Sequence, residues 1–179
     1  MLKNLQTELQ SFGKYVVQQS RSNLTKQKHN VTRDLYDSIH YDLTEKNGNY
    51  DLAFIMDEYG TFLDKGVKGA NPSLVKDGKQ KGRNSPYSFR NKRPPMQPLA
   101  DWAKKRNIRL RDKEGKFKKG NYRTIGFILQ RSIFAQGIKP SLFFTKPFLV
   151  AFDRYPELLS EAFAQDIIDI LKDNNNGKN

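Results

Sequence analysis

The stretch from Tyr50 to Gly69, YDLAFIMDEYGTFLDKGVKG, limits the possible folds of this chain more than any other. Leu52, Phe54 and Met56 alternate with Ala53 and Ile55. A strand here has two apolar faces and reads as a central strand, covered by helices on one side and by more protein on the other. Just before it, Asn47-Gly48-Asn49 is a turn signal, and the apolar residues from Asp34 to Thr44 settle onto a two-residue period. Together they predict a hairpin pairing about 39–44 with 50–57. Behind the strand, Tyr59, Phe62 and Leu63 have the spacing of one helical turn, and Gly60, Gly66 and Gly69 let the backbone change direction.

The remaining apolar residues mostly mark helices. Leu2, Leu5, Leu9, Phe12 and Val16 predict an amphipathic helix from 2 to about 27, slightly weakened by Gly13. Leu99, Trp102 and Ala103 make a short helix within 97–107, with Trp102 anchoring it and Lys104, Lys105 and Arg106 on its outer face. IRLRDKEGKFKKG, from Ile108, reads as a tight basic hairpin. Ile125, Ile128, Leu129 and Ile133 mark a helix over 122–135 that Gly137 stops. Pro140 and Pro147 bracket an extended piece over 141–146, placed beside the central strand, with Phe143 and Phe144 on opposite faces. A last helix carries Leu149, Phe152, Leu158, Leu159, Phe163, Ile167, Ile170 and Leu171, with a break or kink near Tyr155 caused by Pro156. This is an α+β pattern: one core domain from 1–69 and 122–173, an insertion over 70–121, and a disordered tail over 174–179. Tyr59, Phe62, Phe143, Phe144 and Phe148 are the residues expected to hold the sheet to the helices.

The insertion differs from the rest in both conformation and charge. Pro and Gly recur from Ala70-Asn71-Pro72-Ser73 through Gly78, Gly82, Ser85-Pro86 and Arg93-Pro94-Pro95 to Pro98, which excludes long regular structure and predicts a long mobile loop. The chain has 179 residues and a net charge of +13. Residues 70–123 hold 17 Lys and Arg against 4 Asp and Glu, whereas the remainder holds 15 of each. Charge placed so locally points to a polyanion or an acidic partner surface. Tyr87 and Phe89 lie among Arg83, Arg90, Lys92 and Arg93, and Trp102 precedes Lys104, Lys105 and Arg106; Arg109 and Arg111 follow. Basic residues interleaved with aromatics suit phosphate contact with occasional stacking, without base reading.

Other chemistry has little support. There is no cysteine, so disulfides, thiolate catalysis and thiolate metal sites are excluded. His29 and His40 have no acidic cluster between them at metal-ligand spacing. Asp57-Glu58 and Asp64-Lys65 fit a metal-dependent nuclease poorly, because Asp64-Lys65 falls where a turn is expected. Gly66-Val67-Lys68-Gly69 lacks what a phosphate cradle needs. No catalytic, cofactor-binding or metal-ligating residue is expected, and no enzyme activity. MLKNLQTELQ does not read as a secretory signal, and no run of about 18 apolar residues spans a membrane. The expected location is a cytoplasm, or a particle assembled there.

The order of elements, with the segment YGTFLDKG over Tyr59–Gly66 and the segment KPSLFFTKPFL over Lys139–Leu149, resembles the tail-completion, or neck, proteins of tailed bacteriophages. The chain departs from that pattern at Leu142, where a second proline is common, and in the size and charge of the insertion. The resemblance implies a small, curved, mainly antiparallel sheet around the long N-terminal helix. It implies a structural virion protein, a homo-oligomeric ring in the neck that joins the capsid portal or adaptor to the tail, assembled in the host cytoplasm. The basic residues would then contact a neighbouring subunit, the portal, or DNA in the lumen. The alternative reading is a stand-alone, sequence-independent nucleic-acid-binding protein that uses residues 70–123.

Overall fold

A computed structural model describes residues 2–29, 32–71, 73–76, 78–118 and 120–176. The elements are α1 (Lys3–Lys26), α2 (Asp34–Ser38), β1 (His40–Lys46), β2 (Asn49–Ile55), α3 (Glu58–Lys65), β3 (Val67–Lys68), α4 (Ser73–Lys76), α5 (Met96–Lys105), α6 (Tyr122–Gln136), β4 (Gly137–Ile138) and α7 (Thr145–Asn176). The class is α+β, with the strands in two separate antiparallel pairs, β1–β2 and β3–β4. The chain divides into two compact units: residues 1–57 with everything from Phe143 onward, and residues 58–142. Composition draws its boundary near residue 70, whereas the contacts draw it at 57/58 and 142/143, because the chain beyond 70 folds back onto 66–69.

In the first unit α1 buries Phe12, Val16, Val17 and Leu24 along one stripe. The hairpin runs in register from His40 opposite Ile55 to Lys46 opposite Asn49. Asn47 and Gly48 close it with φ of 53° and 77°, the two left-handed residues that a tight turn matching the strand twist requires. The expected central strand is an edge strand. β2 pairs only with β1 among the described residues, and Ala53 and Ile55 face outward, exposed, in line with Asp51. One apolar face is enough for a two-stranded hairpin. Gly13 has a use the helix propensity hides, since a Cβ there would stand 2.7 Å from the Tyr41 ring.

Phe12 is the centre of this core, with Phe54, Phe148 and Tyr155 edge-on to it at 5.9, 6.0 and 4.9 Å. Phe54 in turn meets Phe144 at 5.5 Å. Such edge-to-face pairs contribute about 0.5–1.5 kcal/mol each beyond their burial. Phe143 is fully buried, and its carbonyl accepts a bond from Asn23 Nδ2 at 3.2 Å. Phe144 and Phe148 pack against Phe54 of the hairpin, and Phe143 is buried in the same unit.

The segment 141–146 is not a strand. The Ser141 and Leu142 amides donate to the carbonyls of Leu63 and Asp64 at 3.1 and 3.0 Å, and Leu142 turns with φ of 52°. α7 begins at Thr145, so Pro147 stands in its first turn, where a missing N–H costs nothing. The two prolines delimit a helix start, not a strand. α7 also runs unbroken through Pro156. Of the expected tail, residues 174–176 continue α7, and 177–179 lie outside the described residues.

No side chain within α1 caps its N-terminus. The Asp166 carboxylate of α7 does so instead, accepting from the amides of Asn4 and Leu5, each at 2.9 Å. Burial pushes the Asp166 carboxyl up, but these N–H groups favour its ionised form and hold it below the ordinary 3.8.

The second unit is built on a crossing of backbones. Val67 pairs with Ile138 and Lys68 with Gly137, while Ser88 adds a parallel bridge to Lys68. A Cβ on Gly69 would collide with the Ala135 carbonyl and one on Gly137 with that of Val67; one on Gly82 would sit 2.6 Å from the oxygens of Val67 and Ile138. The stretch expected to be mobile is pinned here. Lys68 donates to Tyr87 O at 2.8 Å and accepts from Phe89 N at 2.9 Å, Lys81 N donates to Gln136 O at 2.7 Å, and Ser85 Oγ donates to Gly66 O at 2.6 Å. Helices α5 and α6 pack closely through Ala100, Ala103, Ile125 and Gly126.

Two outcomes check this account. Gly69→Ala should destabilise the chain by about 3 kcal/mol, read by urea denaturation, because backbone atoms occupy the new methyl's place; unchanged stability would put the 135–137 backbone elsewhere. Asp166→Ala should lower stability above pH 4. Because the folded-state pKa lies below the unfolded one, the wild type loses this contribution as pH falls from about 4 through the folded value. The gap between the two proteins must narrow on acidification, and parallel curves would contradict the cap.

Candidate functional site

The second unit carries 21 Lys and Arg against 6 Asp and Glu, a net of +15, and the first unit 11 against 13, a net of −2. All nine basic residues expected at an interface lie in the second unit, and all nine are exposed. They occupy three separate pieces of local structure.

Arg83, Arg90, Lys92 and Arg93 lie on the irregular segment that the Lys68–Ser88 bridge holds in place. The Arg93 guanidinium lies 5.6 Å from the centre of the Phe134 ring, which also meets Phe89 at 6.0 Å. Lys104 and Lys105 form the last turn of α5, and Arg106 is its C-cap, where positive charge meets the carbonyl end of the helix. Arg109 and Arg111 share the Phe117 ring at 5.5 and 4.3 Å.

That last pair depends on the basic hairpin, which forms as expected. Arg111 bridges Phe117, the Asp112 amide donates to Lys116 O at 2.9 Å, and Gly115 turns with φ of 83°. Arg111 Nη1 also donates to Gly115 O at 2.7 Å. Stacking on an aromatic face fixes a guanidinium's plane. Of the five N–H groups on each side chain only one is taken locally, Arg111 Nη1 by Gly115 O and Arg109 Nε by Asn107 Oδ1 at 3.4 Å, so the others can meet a phosphate or carboxylate. The arrangement suits anion contact by many dispersed cations, not the enclosure of a small substrate.

Of the residues expected to frame the core, Phe62 packs edge-on to Tyr87 at 4.8 Å, inside the second unit. Tyr59 does not; it is 58% exposed. On a helix of only eight residues the one-turn spacing left its side undecided, and Leu63 and Gly60 take the buried face. Trp102 is 40% exposed, more open than an anchor, and Ala100 and Ala103 hold its helix instead.

The sequence reading missed two groups. Arg123 and Arg131 are exposed on α6 with Phe127 and Ile128, a face marked by Arg-x3-Phe-x3-Arg at four-residue steps. The apolar residues of α7 include Phe152, Phe163 and Leu171 at 58, 46 and 58% exposure, a face to which the sequence reading gave no role.

A groove of about 280 Å³ lies in the first unit among Leu9, Leu52, Phe152, Pro156 and Leu159. Burial pushes the pKa of Tyr155, which also lines it, above its ordinary value. Asp64, raised above as a metal ligand, is buried, and no group of three or more His, Asp or Glu able to hold a metal occurs among the described residues. No described helix is long and apolar enough to cross a membrane.

No family model matches this chain, nor does any curated protein or solved structure.

Trp102, the only tryptophan, reports the local field. Iodide should quench its fluorescence more strongly than caesium at low ionic strength. The preference should vanish as the Debye length shrinks from about 8 Å at 0.15 M to about 3 Å at 1 M. Equal quenching at low salt would mean the cations around it do not act together.

Proposed function

We propose that this chain is a structural subunit of a bacteriophage neck. It would be a ring-forming protein that joins the capsid portal or adaptor to the tail and acts by contact, without catalysis. The observation that carries the reading is the meeting of the two segments that bear the resemblance. Leu63 and Asp64 accept hydrogen bonds from Ser141 and Leu142, and a Cβ on Gly66 would stand 2.8 Å from the Pro140 nitrogen. The segments are distant in sequence yet interlock without room for a side chain, which accounts for a glycine in one and a proline in the other.

The charge supports an interaction role of the same kind. A unit of net +15, its arginines steadied on Phe117 and Phe134, offers a surface for an acidic neighbouring subunit or for DNA in the lumen. On this reading the protein belongs to the virion and is assembled in the host cytoplasm. A second reading is favoured by the same charge: a sequence-independent nucleic-acid binder.

Light scattering of the purified chain, at low and high salt and with or without a nonspecific duplex, separates the two. The neck reading expects either an oligomer or a monomer that ignores the duplex at about 0.15 M salt. A monomer that binds the duplex tightly and releases it with a steep salt dependence would overturn it.

A further inference from the structure

Two helices present apolar faces with opposite charge. On α6, Phe127 and Ile128 are 44% and 48% exposed, with Arg123 and Arg131 one turn to either side of Phe127. The Arg131 guanidinium lies 5.8 Å from the Phe127 ring centre, and α6 contains no acidic residue. On α7, Phe163, Ile167 and Leu171 recur at four-residue steps and are exposed. Asp153, Glu157 and Glu161, also four apart, form an exposed acidic row along the same helix.

We propose that the α6 face of one copy docks on the α7 face of a second copy. Phe127 and Ile128 pack beside Phe163 and Ile167, and the α6 arginine that points toward the start of α7 meets Glu161 and Glu157. This names the partner of the basic unit and rests on the subunit reading above.

Charge complementarity decides the pairing. Two α7 faces brought together would oppose their acidic rows, and two α6 faces would oppose their arginines; only α6 against α7 places unlike charges across the contact. DNA fits the α6 face less well, because phosphates pressed against Phe127 and Ile128 would lose water without gaining a hydrogen bond in return. The contact is heterologous, so each copy retains one free α6 face and one free α7 face, and the association propagates into a ring if its rotation closes.

A charge swap in the full chain tests this by sedimentation velocity at low salt. The first variant is Glu157→Arg with Glu161→Arg; the second is Arg123→Glu with Arg131→Glu. Wild type should self-associate. Each variant alone should associate about a hundredfold more weakly or worse, and a 1:1 mixture should recover association, because unlike charges again face each other. All four positions are exposed, so both variants should melt with the wild type.

The proposal is overturned if wild type stays monomeric up to about 1 mM, if the first variant associates as wild type does, or if the mixture stays dissociated. An oligomeric wild type with unaltered variants removes this interface and leaves the subunit reading standing. A monomeric wild type that binds duplex tightly, matched by the first variant, removes both.

Discussion

The carbonyl oxygens of Val67, Ala135 and Ile138 occupy the space where side chains at Gly137, Gly69 and Gly82 would begin, and the second unit is organised by that contact. Backbone can approach backbone this closely only where Cβ is absent. The approach lets Lys68 bond to Tyr87 and Phe89 on one side while Val67 and Lys68 pair with Ile138 and Gly137 on the other. A breaker-rich stretch with few apolar side chains thereby acquires fixed anchor points. Its arginines stand on an ordered surface because main-chain bonds secure the chain between them, with Tyr87 against Phe62 and Phe89 against Phe134 adding to the hold.

This explains what was legible in the sequence and what was not. The hairpin could be read because Asn47-Gly48 supplies two left-handed residues where the twist of the strands demands them. α6 could be bounded because Asn121 caps it through Thr124 at 2.8 Å and Gly137 ends it. The anchoring of 80–89 could not, since bonds between main-chain groups leave no mark on the pattern of side chains. Pro140 and Pro147 misled for a related reason: a proline bounds a strand or opens a helix equally well, and the bonds from Ser141 and Leu142 to α3 decide between them.

Of the candidate surface, the nine exposed cations were legible because charge seldom enters a core. Arg123 and Arg131 escaped notice because Ile125, Ile128, Leu129 and Ile133 make α6 read as a core helix, when only part of its circumference is covered. α7 behaves alike, burying Ala151 and Ala162 against its own unit and turning Phe163 and Leu171 outward. Both helices are more apolar than their own packing requires. That surplus, with the separation of net +15 from net −2, leaves the molecule with two chemically distinct exposed faces.

The cap that Asp166 places on α1 also sets an order of events during synthesis. Asn4 leaves the ribosome 162 residues before the carboxylate it will bond. At roughly 5–20 residues per second the first helix made waits on the order of 10 s for its end to be satisfied. Residues 58–142 form one compact unit that is contiguous in the chain. The unit nested in the middle of the chain can therefore close first, while the unit that begins the chain is finished last.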